Sequence, residues 1–495
     1  MKQTLIFVHR WLGVVLCLLF LLWFPSGFVM MYWDYPSVKP ADRLAHLAAL
    51  NPATIRVSPA EAAAKAEIEA PGVVRLTTFA GRPIYRFGGR GDSAVVFADT
   101  GEEQIEITQN DVATIAEMWS GQPVKAARVE AVEQSDQWTL QNRIRDLEPV
   151  WKFSWPDGQQ LYVSEATGDV LQYTTTGSRI GAYFGAIPHW LYFTPLRRNG
   201  QAWSRVVIWS SGVATFAALL GVVIAVWMYS PSKRYRYAGE PSSIPYSGWK
   251  RWHTIVGLLV GIGAVTWAFS GLLSMEPFPA RDDDRAARRS QQTIAQALRG
   301  RAPLEAFAAK DPRAALAQLA GLRVKDLELT SFAGEPAYFA TIAPGDTRIV
   351  PVNPAGGEPV RELDSERVSA IVTRVTGPLG GAAVDVISRY DRYYLDRHRE
   401  APLPVVRVQM NDAGHSRYYI DPKSARIVGG YSSSGFVDRW LYHGLHSMNF
   451  PWLYNYRPAW DIVVIAFMLG GTVLALTSLV LAWQVLGRKL RLIRG

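Results

Sequence analysis

Histidines set at matched distances from tryptophans are the residues of this chain best suited to chemistry. His9 precedes Trp23 by fourteen residues, Ser26-Gly27 by seventeen and eighteen, and Met31 by twenty-two. His253 precedes Trp267, Ser270-Gly271 and Met275 by the same four offsets. A second pair follows the same rule, with His189 fourteen residues before Trp203 and His446 fourteen before Trp460. Neutral imidazole is a good axial ligand to haem iron, and a histidine at the edge of an apolar span usually faces the interior of a bundle. Any one of these residues alone could equally be an interfacial imidazole bonded to a carbonyl or water. Four of them in two matched pairs read first as haem ligands.

The elements that must carry them are apolar runs. The chain has 495 residues, 49% hydrophobic and 19% charged. The runs near residues 11–33, 204–229, 254–275 and 460–485 reach the ~20 residues that cross ~30 Å of hydrocarbon. Lys and Arg are retained on the cytoplasmic side of a bilayer. Lys2 and Arg10, then Lys233, Arg234, Arg236, Lys250 and Arg251, then Arg488, Lys489, Arg491 and Arg494 therefore predict that both termini and the middle loop are cytoplasmic. The expected organisation is a first helix within 1–33, a polar segment 34–203, a second helix 204–229, a basic loop 230–253, a third helix 254–275, a second polar segment 276–459, a fourth helix 460–485 and a tail 486–495. Both polar segments then lie on the opposite face. The first helix runs into Met30-Met31-Tyr32-Trp33 without a small-residue cleavage site, so it reads as a retained span, not a cleaved leader.

The net charge of +9 (52 minus 43) is largely these positive-inside residues and argues for no nucleic-acid role. Cys17 is the only cysteine, which excludes disulfides, thiolate zinc sites, iron–sulfur clusters and covalent c-type haem within one chain. Phosphate loops, hydrolase elbows and zinc-protease motifs find no match. Gly257, Gly261 and Gly263 mimic part of a nucleotide-binding pattern but fall inside an apolar helix, where small residues serve packing.

The duplication extends into the polar segments. The stretch from Leu76 to Tyr85 (LTTFAGRPIY) returns from Leu329 to Tyr338 (LTSFAGEPAY), each predicting a strand, a Gly-containing turn and a return strand. Ser58-Pro59-Ala60-Glu61 opens a helix with a capping box, and Asp311-Pro312 opens its equivalent through Leu319. Further strands fit residues 160–163 and 417–420. Arg90-Gly91-Asp92, among glycines, reads as a hairpin turn. Each polar segment is thus expected to be a small α+β domain. The fold class is an α-helical membrane protein, four transmembrane helices in two parallel repeats, bearing two such domains outside the membrane. A pseudo-twofold along the membrane normal would set equivalent histidines face to face.

In that arrangement His9 and His253 would ligate one iron at the basic end, and His189 and His446 another at the opposite face. Gly13 and Gly257, four residues beyond their histidines and on the same helical face, remove side chains where a porphyrin would lie. Arg10, Lys250 and Arg251 could neutralise propionates. His443, three residues before His446, competes as a ligand or lies beside it. His46, His398 and His415 lack matching and read as surface residues.

These residues resemble the PepSY-associated transmembrane family, whose members include haem-bearing inner-membrane reductases of ferric siderophores. The resemblance rests on His9 to Gly13, His253 to Gly257, Tyr390-Asp391-Arg392-Tyr393-Tyr394 with Pro402 to Val405, and Trp440 to His446. It implies PepSY-like periplasmic domains, two b-type haems and a place in a bacterial inner membrane. It also implies electron transfer from an unidentified donor to a periplasmic ferric-siderophore or other ferric chelate. The residues after His189, Pro195 to Gly200, depart from the equivalent Trp452 to Arg457. Arg389, Tyr390, Arg392, Tyr393, Tyr394 and Arg397 could receive an anionic, aromatic iron chelate, or could simply pack tyrosines against a sheet. Two other readings stay open: a membrane-anchored PepSY binding or regulatory module without redox activity, and a haem protein serving another protein as acceptor.

Overall fold

A computed structural model describes the chain except residues 70, 89–92, 105, 146–148, 278–282, 354–356, 397–398 and 495. Arg90-Gly91-Asp92, Arg397 and His398 therefore lie outside the described residues.

Among the described residues, four helices are long and apolar enough to cross a membrane: Lys2–Met30, Gly200–Met228, Gly248–Leu273 and the fourth, with its apolar stretch at Ala459–Leu490. At 1.5 Å per residue the shortest, of 26 residues, extends ~39 Å, more than a hydrocarbon core needs. The third begins six residues before its apolar run, and the first begins at Lys2. Hydropathy marks where lipid begins, whereas Lys, Arg and Trp continue a helix readily into the interface. His9 and His253 consequently sit inside helices and not at their first residues.

The segment after the first helix supplies β1 (Val73–Phe79), β2 (Arg82–Gly88) and β3 (Ala94–Phe97), then β4 (Arg128–Val132), β5 (Val150–Ser154), β6 (Gln160–Ser164) and β7 (Val170–Thr174). The middle loop forms a small hairpin of β8 (Tyr235–Tyr237) and β9 (Glu240–Ser242). The segment after the third helix supplies β10 (Arg299–Gly300), β11 (Asp326–Phe332), β12 (Glu335–Ala343), β13 (Asp346–Pro351), β14 (Ala382–Ile387), β15 (Val405–Met410), β16 (Arg417–Asp421) and β17 (Arg426–Tyr431). Strands β4 to β7 and β14 to β17 form two separate antiparallel meanders.

The two sequence-matched hairpins do not close off as independent domains. They join edge to edge through β1 and β11 in one sheet ordered β13-β12-β11-β1-β2-β3, with Arg75 opposite Glu328. A free edge of buried apolar strand is a liability, and pairing satisfies its backbone groups. Both hairpins turn through two residues of positive φ, Ala80-Gly81 and Ala333-Gly334, the geometry of tight hairpin turns. One core runs across the junction on one face of the sheet, where Leu76, Tyr85, Leu327 and Tyr338 are fully buried together. Tyr85 donates to the Val57 carbonyl and Tyr338 to that of Lys310, so each buried phenol is satisfied. The helices expected beside these strands are present at Pro59–Lys65, capped reciprocally by Ser58 and Glu61, and at Pro312–Gln318, capped by Asp311.

The aromatic and basic stretch after β14 is built around Asp391. Its carboxylate accepts from the backbone N–H groups of Tyr393 and Tyr394 at 2.8 Å, from Arg407 at 2.9 Å and from the Tyr419 hydroxyl. Burial pushes its pKa up, but these donors outweigh it and hold the carboxyl below its usual range. A depressed carboxyl contributes stability above its unfolded value, ~3.9, and that contribution is lost as pH falls through the lower folded value. The melting temperature of the detergent-purified chain should therefore drop below about pH 4. At pH 7, Asp391→Asn should cost about 3 kcal/mol and remove part of the acid dependence. An unchanged acid profile in the variant would refute this role.

Each meander ends close to a bundle histidine. β7 leads through the helix Thr176–Phe184 to the short helix Ala186–His189. β17 leads through Ser433–Asp438 and a π-helical turn, Arg439–Gly444, to His446. Such π turns recur at functional sites.

Candidate functional site

The bundle brings the four matched histidines together two by two. At its basic end, His9 of the first helix faces His253 of the third with ring centres 6.3 Å apart. At the end nearest the polar domains, His189 faces His446 at 5.9 Å. Two metal–imidazole bonds of about 2 Å, with about 1 Å more from each nitrogen to its ring centre, span roughly 6 Å.

The second nitrogen of every ring is already engaged. His9 Nδ1 lies 3.0 Å from the Ala217 carbonyl and His189 Nδ1 3.1 Å from that of Trp23; a carbonyl only accepts, so both nitrogens carry the proton. His253 Nδ1 meets Thr477 Oγ1 at 3.0 Å, and His446 Nδ1 meets Ser270 Oγ at 2.9 Å. Those hydroxyls spend their own hydrogens on the carbonyls of Leu474 and Trp267, so they accept from the rings. The hydrogen-bond network thus assigns one tautomer to all four, leaving Nε2 unprotonated. Among the described residues no donor reaches Nε2 of any of the four. Two rings that both keep Nε2 unprotonated cannot hydrogen-bond to each other, and a metal ion between them would satisfy both.

The repeated Trp-x-x-Ser-Gly stretch has a physical role here. Trp23 and Ser26 of the first helix hold His189, while Trp267 and Ser270 of the third hold His446, with Trp267 Nε1 also donating to the His446 carbonyl at 2.7 Å. Each of these two helices therefore carries one histidine of the basic-end pair and buttresses one of the other.

A cavity adjoins each pair. The basic-end cavity, about 320 Å³, is lined by His9, Arg10, Gly13, Lys250, His253, Gly257 and Arg488 among others. A Cβ at Gly13 would meet nothing within 4 Å, and one at Gly257 would meet only Leu474 at 3.8 Å. Both glycines therefore border open space. Arg251 turns away, donating to Ser242 and lying over Tyr237 in the β8–β9 hairpin. The domain-end cavity, about 680 Å³, includes His189, His446, His443, Trp267, Met468 and Asp396. Phe20, Phe24 and Ala264 line both cavities.

His443 also borders the domain-end cavity, but its Nε2 lies 3.5 Å from Asp438 and its ring rests on Tyr442. The partner of His189 is His446. In the stretch expected to meet a chelate, the Tyr390 and Tyr394 hydroxyls donate to the carbonyls of Ala401 and Pro402, Tyr394 stacks on Tyr419, and Tyr393 packs on Tyr431 and Phe436. Arg392 lies over the Tyr393 ring, while Arg389 is exposed. Among the described residues of this stretch, only Leu395 and Asp396, just beyond the cluster, line the cavity. His46 stacks on Trp119 at 4.0 Å and His415 is exposed in a turn.

The close approach of two glycines to histidine rings escaped the sequence reading. A Cβ at Gly221, on the second helix, would sit 2.7 Å from His9 Cε1, and one at Gly27 would sit 3.2 Å from His189 Cε1. Gly27 belongs to a repeated motif, whereas no pattern marks Gly221 or Thr477.

A family model described as the PepSY-associated TM region matches residues 7–343. No curated protein matches the chain.

Proposed function

The chain belongs to the PepSY-associated TM region family, and from that membership and the facing histidine pairs we propose a membrane oxidoreductase that holds two b-type haems and reduces a ferric-siderophore or similar ferric chelate. The observation that carries this reading is the proton assignment: four imidazoles, each fixed through Nδ1 with Nε2 unprotonated, stand in two pairs with ring centres about 6 Å apart. His9 and His253 would hold one haem, His189 and His446 the other. Bound there, haem supplies one-electron exchange between ferric and ferrous iron.

The chain's own contribution is position and enclosure. His9 and Trp23, whose carbonyl holds His189, are fourteen residues apart on one helix, so the two pairs lie ~21 Å apart along its axis. Phe20 and Phe24, stacked on each other, line both cavities and lie between the two pairs. Arg10, Lys250 and Arg488 border the basic-end cavity, where they would balance carboxylates of a bound porphyrin. The distribution of Lys and Arg in short loops supports a cytoplasmic basic end, with the β-rich domains periplasmic in a bacterial inner membrane. Reduction releases iron because hard oxygen donors hold ferrous iron far more weakly than ferric.

The test is a visible spectrum of the detergent-purified chain, oxidised and dithionite-reduced, with haem counted per chain. A b-type spectrum near two haems, reoxidised by an added ferric hydroxamate, is the expected result. Absence of haem after expression with haem precursor would overturn the reading in favour of a membrane-anchored binding module. Haem that a ferric chelate cannot reoxidise would point to a protein acceptor.

A further inference from the structure

The two segments that deliver His189 and His446 share a pattern that the histidine spacing does not explain. Ile180 and Phe184 lie nine and five residues before His189, and Val437 and Leu441 lie nine and five before His446. All four are exposed, at 53%, 69%, 45% and 37%. A spacing of four on a helical segment places each couple on one face, one turn apart. An exposed aliphatic or aromatic couple is unremarkable once, but the same couple at the same two offsets before both histidines is a built feature.

The place of these faces in the fold says what covers them. A Cβ at Gly181 would lie 2.5 Å from Trp33 Cδ1, and one at Gly185 would lie 3.1 Å from Val29 Cγ1, so the helix Thr176–Phe184 is pressed against the end of the first apolar helix. Trp33 and Tyr32, both about half exposed, ring that same end, as do exposed Trp452 and Tyr456 near the start of the fourth. Such aromatic collars sit at the boundary between hydrocarbon and water. The exposed face of Thr176–Phe184 is therefore continuous with the lipid-facing surface of the bundle. Its one cation, Arg179, is turned inward to the Gly158 carbonyl and Thr174.

We propose that Ile180 and Phe184, with Val437 and Leu441, insert into the lipid interface and that the bilayer thereby seats the two segments carrying His189 and His446. Short amphipathic segments bind an interface in this way, through buried apolar area. The lipid contact rests only on the four apolar helices crossing a membrane. Its consequence for haem at the domain end rests on the proposed function.

The experiment uses the full chain in lipid nanodiscs, on a Cys17→Ser background, with a nitroxide attached at Phe184→Cys or Leu441→Cys. A control label at Val129→Cys occupies an exposed apolar position on β4, within the polar domains. Labels at 184 and 441 should be relaxed more strongly by oxygen than by a water-soluble nickel chelate, and the label at 129 the reverse. Nickel-dominated relaxation at 184 and 441 would overturn the proposal, as would shielding from both agents, which would mean that protein covers the face. These readouts need no haem, so they stand or fall apart from the redox reading. In haem-loaded protein, Phe184→Glu and Leu441→Glu should each reduce haem from two per chain towards one. Full retention in both would overturn the seating role.

Discussion

His446→Ala protein should carry one haem per chain in place of two, and His253→Ala or His9→Ala should each lose the other one. An alanine leaves the cavity intact but removes one of only two Nε2 donors, and His189 or the surviving basic-end histidine cannot complete the pair alone. The neighbours give no substitute: His443 is turned to Asp438, and Ser270 can offer only the hydroxyl that held the lost ring. Pyridine-haemochrome counting checks the stoichiometry. The reduced spectrum of His446→Ala and that of either basic-end variant should sum to that of the parent. Full haem content in all three variants would sink the assignment.

A second large effect is expected from a residue that touches no ligand. Gly221→Ala should remove or strongly weaken the basic-end haem, although alanine favours a helix over glycine by about 1 kcal/mol. The new methyl carbon would lie 2.7 Å from His9 Cε1, too close for two carbons, and 3.3 Å from its Nε2, so the ring must shift and is expected to loosen from the Ala217 carbonyl that fixes it. Gly212→Ala is the control, because it lies on the same helix and its Cβ would meet nothing within 4 Å. Equal haem content in the two variants would show that His9 does not depend on that close approach.

Much of the architecture was legible in the residues because its signals are local. Apolar runs marked the spans, the Ser58 and Asp311 caps marked their helices, and Ala-Gly turns marked both hairpins. The pairing of histidines followed from equal offsets, and the structure sets each pair about 6 Å apart. What could not be read was long-range. The joining of β1 to β11 links residues some 250 positions apart, and nothing in either strand names its partner. Thr477 and Gly221 acquire meaning only from the opposing helix, where a hydroxyl and a missing side chain meet His253 and His9. Arg251 was read by proximity in sequence, yet the β8–β9 hairpin captures it. The tyrosines around Asp391 looked equally suited to ligand or to core, and their hydroxyls are bonded within the fold.

The register of β1 against β11 carries one more consequence. In the matched hairpins Leu76 corresponds to Leu329, so Arg75 corresponds to Glu328, and these two stand directly opposite each other with Val74 facing Leu329 and Leu76 facing Leu327 on either side. The junction is thus centred on a position paired with its own equivalent. Two identical chains meeting this way would set like against like at that point, two arginines or two glutamates, which is unfavourable across a ladder. A single chain escapes the constraint. It places Arg75 across from Glu328, gives Arg75 a bridge to Asp326 at 2.9 Å, and surrounds Glu328 with Arg299 and Arg426. Fusing both halves in one polypeptide thereby permits a charge asymmetry that a symmetric dimer of either half could not adopt, and it prevents the halves from pairing with themselves.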